Sequence, residues 1–122
     1  MPMNFLFVKA LQEYYKYYGD ELKVECPVGS KTYLSLGDIS DTINQRLVGI
    51  FSLDENGERA VHALHKEKYQ DPHFKDLILF YEYFHGDNGR GVGATHQTGW
   101  TGAVAQLINE SCWHTYRKKN KK

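Results

Sequence analysis

Apolar positions at the start of the chain recur at steps of three and four residues. They are Phe5, Val8, Leu11, Tyr15 and Tyr18. Pro2 is tolerated in a first helical turn, because the N–H that proline lacks would have no partner there, and Gly19 ends the run. The spacing predicts an amphipathic helix from Pro2 to about Tyr18.

A second helix is predicted after a loop that contains Cys26 and Pro27. The stretch Ser35-Leu36-Gly37-Asp38 resembles a capping box, in which the serine side chain accepts a hydrogen bond from a free backbone N–H. The apolar positions that follow have helical spacing, and they are Ile39, Ile43, Leu47, Ile50 and Phe51. Residues 54–57, Asp-Glu-Asn-Gly, predict the turn that ends this helix.

Two further helices are predicted in the second half of the chain. Asp71 as N-cap and Pro72 at the first position predict a helix that runs through Phe84. A fourth is predicted to begin near Thr98 and to continue toward Tyr116, with one apolar face formed by Trp100, Val104, Leu107 and Ser111. No run alternates long enough to predict a sheet, so the expected fold class is all-α, built of helical hairpins.

Glu82 is the only acid in the predicted third helix between Leu77 and Phe84, where every other residue is apolar or aromatic. A helix with no polar face is expected to be buried. An ionised carboxylate in such a place must be ion-paired, be protonated, or face a water-filled cavity. The residues alone leave open whether Glu82 has a structural role or belongs to a site.

The glycine-rich stretch from Gly86 to Ala94 is predicted to be an irregular loop that continues to about Thr98. Such a loop lets backbone approach a ligand closely. The G-x-G-x-x-A pattern of the dinucleotide-binding fingerprint occurs within it, as Gly89-Arg90-Gly91-Val92-Gly93-Ala94. That fingerprint requires a strand before it and a helix that starts within it, so nucleotide binding is not expected here.

Composition narrows the remaining classes of function. With 122 residues, of which 41% are hydrophobic, the chain is expected to form one domain or part of one. The formal charge is zero, but five cations fall at the C-terminus and leave an acidic body, which argues against a nucleic-acid partner. These cations are Arg117, Lys118, Lys119, Lys121 and Lys122.

Neither a metal site nor a membrane location is expected. Cys26 and Cys112 lack paired spacing and are predicted to be free thiols. His62 and His65 stand three residues apart, but no further ligand has metal spacing, so they are predicted to be surface or loop histidines, with no metal or other cofactor. No apolar run could span a bilayer and no signal peptide is recognisable, which predicts the cytoplasm.

Two segments carry a resemblance to a known family. Residues 80–87, Phe-Tyr-Glu-Tyr-Phe-His-Gly-Asp, and residues 91–102, Gly-Val-Gly-Ala-Thr-His-Gln-Thr-Gly-Trp-Thr-Gly, resemble the C-terminal end of the catalytic domain of glycoside hydrolase family 63 and its mannosylglycerate-hydrolase-like relatives. Segments near Asn4, Asp20, Cys26 and Asp71 resemble the same region, so the likeness spans most of the chain.

The resemblance implies a fold and a mechanism. It implies that residues 1–122 are the C-terminal part of an (α/α)6 toroid that hydrolyses α-glycosidic bonds, of the α-glucosidic type, in an oligosaccharide or small glycoside with inversion. Glu82 falls on the family's general base, and the surrounding rings of Phe80, Tyr83 and Phe84 would desolvate its carboxylate and make it a better base. The general acid of the family has no counterpart in this chain, so no turnover by the chain alone is expected.

Four weaker site residues and one rival function accompany that prediction. Trp100, His85, His96 and Gln97 are predicted from the resemblance to lie near the sugar. The helical pattern by itself favours a core position for Trp100 and loop positions that cap the fourth helix for His96 and Gln97. Exposed helix faces predict self-association. The alternative is a non-catalytic helical module for carbohydrate binding or protein interaction.

Overall fold

The computed structural model describes residues 1–111. The α-helices are α1 (Pro2–Tyr18), α2 (Leu36–Gly49), α3 (Lys66–Gln70) and α4 (Thr98–Thr101); a 3-10 helix spans Ala60–His65, and residues 104–111, here called α5, are helical. The strands are β1 (Lys23–Glu25), β2 (Tyr33–Ser35), β3 (Tyr81–Phe84) and β4 (Gly91–Thr95). No helix within residues 1–111 has the length and apolar character that a membrane crossing requires.

The first two helices form as predicted, except that α2 ends at Gly49 and leaves Ile50 and Phe51 in the turn that follows. α1 has proline in its first turn and ends at Gly19, whose positive φ of 58° suits glycine and whose N–H donates to the Tyr15 carbonyl at 2.8 Å. The N-cap of α2 is Ser35, and its Oγ accepts from the Asp38 N–H at 3.2 Å. The same hydroxyl donates to the Asp38 carboxylate at 2.8 Å, which closes a local cap.

Two adjoining hydrophobic clusters hold the elements together. One joins α1, α2 and α5 through Val8, Leu47 and Leu107, all nearly inaccessible to solvent. The other is formed by Phe51, Val61, Tyr81 and Val104. Between α2 and α5, the buried Asn44 side chain donates to the Leu107 carbonyl at 3.2 Å and to the Ser111 hydroxyl at 2.9 Å, which fixes how these helices pack.

The predicted all-α class is wrong, because the described chain contains two antiparallel two-stranded sheets, β1 with β2 and β3 with β4. The predicted helix from Asp71 to Phe84 does not form: residues 71–80 are turns and irregular backbone, and Tyr81–Phe84 is a strand. A short run of consecutive apolar residues is compatible with both a buried helix and a strand, so its periodicity cannot distinguish them. The aromatic residues of this run favour the strand. The architecture of this part of the chain is therefore not the predicted set of helical hairpins from an (α/α)6 toroid.

The predicted fourth helix begins correctly but is interrupted. α4 ends at Thr101, Gly102 and Ala103 form a turn, and the helix resumes at residue 104. Val104 and Leu107 are buried as expected, whereas Trp100 is 52% exposed and is not a core residue. Tyr116, Cys112 and the five C-terminal cations lie outside the described residues.

Candidate functional site

The β3–β4 hairpin carries the predicted catalytic residue at an irregularity in its pairing. Tyr83 pairs with Val92, and Tyr81 pairs with Thr95. Two steps along β3 therefore correspond to three along β4, so β4 bulges opposite Glu82. Bulges bend a strand locally and redirect its side chains, and here the bulge presents backbone N–H to the carboxylate.

Glu82 lies on a strand with its side chain exposed, so its predicted place on a buried helix is wrong. Its Oε2 accepts a hydrogen bond from the backbone N–H of Ala94 at 3.3 Å. No ion pair within residues 1–111 includes Glu82. The carboxylate is thus oriented by backbone and remains open to water, and the predicted desolvation by neighbouring rings is absent.

Gly93 makes room for this arrangement. Its φ is +79°, and a Cβ at this position would lie 2.8 Å from the Glu82 Oε2 and 2.7 Å from the ring of Tyr83. Any L side chain would both strain the backbone and displace the carboxylate or the ring. The close approach also places the Tyr83 ring, which is 53% exposed, beside the Glu82 carboxylate.

Tyr81 ties the hairpin to the core and to α4. Its ring is buried over Gly91, where a Cβ would fall 2.2 Å from a ring carbon. Its backbone carbonyl accepts a hydrogen bond from the hydroxyl of Thr101, a fully buried residue of α4. The half-exposed Trp100 precedes Thr101, so this bond holds the tryptophan at the same end of the hairpin as Glu82.

His96 and Gln97 continue the hairpin beyond its strands. The Nδ1 of His96 accepts from the Phe80 N–H at 3.3 Å, and the two rings stack with centroids 5.2 Å apart. The Gln97 N–H donates to the Phe80 carbonyl at 2.6 Å. The structure therefore brings Glu82, His96, Gln97 and Trp100 to the open end of one hairpin.

His85 lies at the other end, in the turn. Its Nδ1 accepts from the Asp87 N–H at 3.3 Å and is 3.9 Å from the Asp87 carboxylate. Strand residues rise about 3.3 Å each, so His85 stands roughly 10 Å along the chain from Glu82. Of the predicted site residues, it is the one that the structure separates from the others.

His85 lines a surface groove of about 560 Å³ that the sequence did not predict. The groove runs between the hairpin turn and α2, and its polar groups include Arg46, Asn4 and Asn88. Arg46 and Asn4 are far from the hairpin in sequence, and nothing in the sequence links either of them to His85. Only the packing of α1 and α2 against the turn brings these residues together.

The glycine run has a defined structure, so the predicted irregular loop up to Thr98 is wrong. The Gly89 N–H donates to the His85 carbonyl at 2.9 Å, which closes the turn, and β4 begins at Gly91. The run itself enters the antiparallel strand β4, and no helix begins within it. The dinucleotide fingerprint therefore lacks the strand-to-helix turn that would bind a pyrophosphate.

His62 differs from the predicted surface or loop histidine, because it is buried, with 3% of its surface exposed. His65, at the end of the same 3-10 helix, is exposed as predicted. Among residues 1–111, no group of three or more His, Cys, Asp or Glu side chains could hold a metal ion. Cys26 is a free thiol.

Comparison with known proteins finds a relative in yeast that is much longer than this chain. Over 111 residues, 89% of this chain, the sequence is 50% identical to the uncharacterized protein YMR196W of Saccharomyces cerevisiae. The matched part spans 10% of that yeast protein's length. No family model and no solved structure matches the chain.

Proposed function

We propose that this chain belongs to a hydrolase of α-glycosidic bonds, of the α-glucosidase type and similar to glycoside hydrolase family 63, in which Glu82 is the general base of an inverting mechanism. The observation that carries the proposal is the state of Glu82: an exposed carboxylate, free of cations among residues 1–111, that is oriented by a backbone N–H on a bulged hairpin. The sequence resemblance places the same residue on the family's base.

The geometry suits proton abstraction from water. Oε2 is engaged by the Ala94 N–H, whereas Oε1 accepts no hydrogen bond from the described residues. A water molecule held by Oε1 would transfer its proton to Glu82 while its oxygen attacks the anomeric carbon and the glycosidic C–O bond breaks. A base must lie within hydrogen-bond reach of the proton that it removes, and an exposed oxygen meets that requirement.

Two exposed rings fit a sugar substrate, Tyr83 beside the carboxylate and Trp100 in the helix that follows the hairpin. Tyr83 and Trp100 are 53% and 52% exposed, and a half-exposed ring offers an apolar face together with a polar edge. Such rings can stack on the apolar face of a pyranose. His96 and Gln97 sit at the same end of the hairpin, and we assign them to the substrate's surroundings, with an oligosaccharide or small glycoside in the cytoplasm as the substrate.

The second carboxyl must come from another part of a longer protein. Inverting hydrolysis requires an acid about 6.5–9.5 Å from the base, which protonates the leaving oxygen. Asp87 is close to Glu82 in sequence but lies in the hairpin turn beside His85. We therefore propose that the chain supplies the base, and that it has no turnover without a further segment.

A hybrid protein tests this function. The matching segment of the full-length yeast relative is replaced by this chain, and the hybrid is assayed on α-glucosides while proton NMR follows the released sugar. The proposal expects hydrolysis with β-glucose as the first product, because water attacks from the face opposite the leaving group. Release of α-glucose first, or no hydrolysis of any α-glucoside by the hybrid or the yeast protein, would overturn it.

One observation favours a second candidate, a non-catalytic interaction module. α1 exposes a large apolar surface in addition to the face that packs on α2. The exposed residues are Met3, Leu6, Phe7, Tyr14, Tyr17 and Tyr18. Patches of this kind mark protein contacts. Under this candidate the hybrid assay gives no hydrolysis, while the chain still associates through α1.

A further inference from the structure

A small void lies between the 3-10 helix, α3 and the preceding turn, away from the β3–β4 hairpin. Its volume is about 20 Å³, which accommodates one atom the size of a water oxygen. Its polar lining includes Glu58, Arg59, His62, Lys66, Gln70 and Lys75. The lysines and Gln70 are exposed, so they surround the outer side of the void.

His62 forms part of the inner wall with an unsatisfied polar atom. The residue is 3% exposed, and its buried Nε2 has no hydrogen-bond partner. Its ring stacks on Tyr69 with centroids 3.5 Å apart and an interplanar angle of 8°, which fixes its orientation. Burial, and secondly the charge of Arg59, lowers the pKa of His62 to about 4, so the ring is neutral near pH 7.

Arg59 supplies a second unsatisfied atom. Its Nη1 donates to the Phe51 carbonyl at 2.5 Å, but its buried Nε has no partner. None of the ion pairs between residues 1 and 111 includes this guanidinium. A partly buried cation without a counterion is unfavourable, and an unsatisfied buried donor adds to that cost.

The carboxylate in the lining does not neutralise Arg59. One carboxylate oxygen of Glu58 accepts a hydrogen bond from Lys66. The other accepts a hydrogen bond from the Gln70 amide at 3.5 Å. Arg59 and Lys75 therefore leave the lining with a positive excess. Both unpartnered nitrogen atoms can donate a hydrogen bond, that of His62 when Nε2 carries the ring proton. Together with the positive excess they favour one kind of occupant, an acceptor that carries negative charge.

We propose that the void binds one oxygen of a small oxyanion, a phosphate or a carboxylate, between the Nε of Arg59 and the Nε2 of His62. With its proton on Nε2, the neutral His62 donates to that oxygen, and the Arg59 Nε–H donates from the other side. The remainder of the anion projects outward near Lys66 and Lys75. Charge-assisted bonds of this kind are about twice as strong as neutral ones.

NMR titration of the complete 122-residue chain tests the site. Inorganic phosphate and acetate are added in separate series at ionic strength held constant with sodium chloride, and the Arg59 Nε–H and His62 ring signals are followed. The proposal expects both signals to shift together and to saturate. A stronger response to phosphate assigns the site to phosphate groups, and an equal response to acetate assigns it to carboxylates.

Two variants complete the test. Arg59→Lys keeps the charge but removes the Nε donor, and it is expected to weaken the saturable response roughly tenfold or more. Arg46→Gln removes a cation from the groove beside the hairpin turn, and it should leave the response unchanged because Arg46 does not line the void. Shifts that never saturate, or a crystal structure from phosphate solution with only water between Arg59 and His62, would overturn the proposal. The unsubstituted chain decides the matter even if Arg59→Lys fails to fold.

Discussion

The backbone N–H of Ala94 on β4 donates to the Glu82 carboxylate on β3 at 3.3 Å, across the bulge of the hairpin. This bond joins two residues that are 12 positions apart in the chain. It orients an exposed acid without a cation or another side chain. The position of the carboxylate therefore depends on the backbone of β4, and chiefly on Gly93.

Gly93→Ala tests that dependence. The new methyl group would lie 2.8 Å from Oε2 of Glu82, on a backbone with φ of +79°. We expect a loss of roughly 1–3 kcal/mol in the free energy of unfolding, because a non-glycine residue is strained there. Urea denaturation measures the loss. Gly86→Ala is the control, since nothing lies within 4 Å of its Cβ position, and equal losses in the two variants would contradict the steric role of Gly93.

His62 predicts a pH dependence of stability. Its pKa is about 4 in the folded chain, lowered from 6.5 by burial and then by Arg59. The unfolded chain therefore takes up a proton at a higher pH than the folded chain does. The stabilisation is complete above about pH 6.5 and is lost as the pH falls toward 4. The charged groups that face His62 across the void are Glu58, Arg59, Lys66 and Lys75.

His62→Phe isolates this contribution, because phenylalanine keeps a ring against Tyr69 but does not titrate. We expect the free energy of unfolding of the variant to fall less steeply between pH 6.5 and 4 than that of the unsubstituted chain. Urea denaturation across this pH range provides the measurement. Parallel pH profiles for the two proteins would show that His62 is not the responsible group.

The exposed face of α1 predicts self-association. Tyr17 is 83% exposed and Tyr14 is 58% exposed, on a helix whose opposite face is already packed. We expect the apparent mass of the chain, measured by light scattering, to rise with concentration, and Tyr14→Glu to lower that rise. Gln45→Glu, an exposed change on α2, serves as the control for added charge. A constant monomer mass at every concentration would contradict the prediction.

The helices of the first half could be read from the sequence, whereas the hairpin could not. Pro2, Gly19 and Ser35 act locally, so their effects are visible in the sequence itself. Tyr81 packs over Gly91, ten positions later, and this pairing makes 81–84 a strand. The apolar run at 81–84 does not by itself indicate that it pairs with the segment around Gly91. The glycines did indicate close backbone approach, but their contacts are with Tyr81 and Glu82 of the chain itself.

The roles of the candidate site residues stay a prediction, but their positions can be compared with those expected from the sequence. The sequence singled out Glu82 as the unusual acid, and the structure places His96, Gln97 and Trp100 at the same end of the hairpin. The exposure of Glu82 was predicted wrongly, because the argument that its side chain is buried assumed a helix. The void beside Arg59 and His62 was not predicted, and His62 was expected at the surface or in a loop, because unsatisfied buried atoms arise from packing, which no motif records.

The most direct test of the central proposal compares Glu82→Gln with Asp87→Asn in the yeast hybrid that carries this chain. Removal of a general base is expected to lower kcat for an α-glucoside by about 10²–10⁴-fold, with KM nearly unchanged because the amide keeps the size of the carboxylate. Asp87→Asn, in the exposed turn, should leave both constants close to those of the unsubstituted hybrid. An unchanged kcat for Glu82→Gln, or an equal loss in both variants, would contradict the role proposed for Glu82.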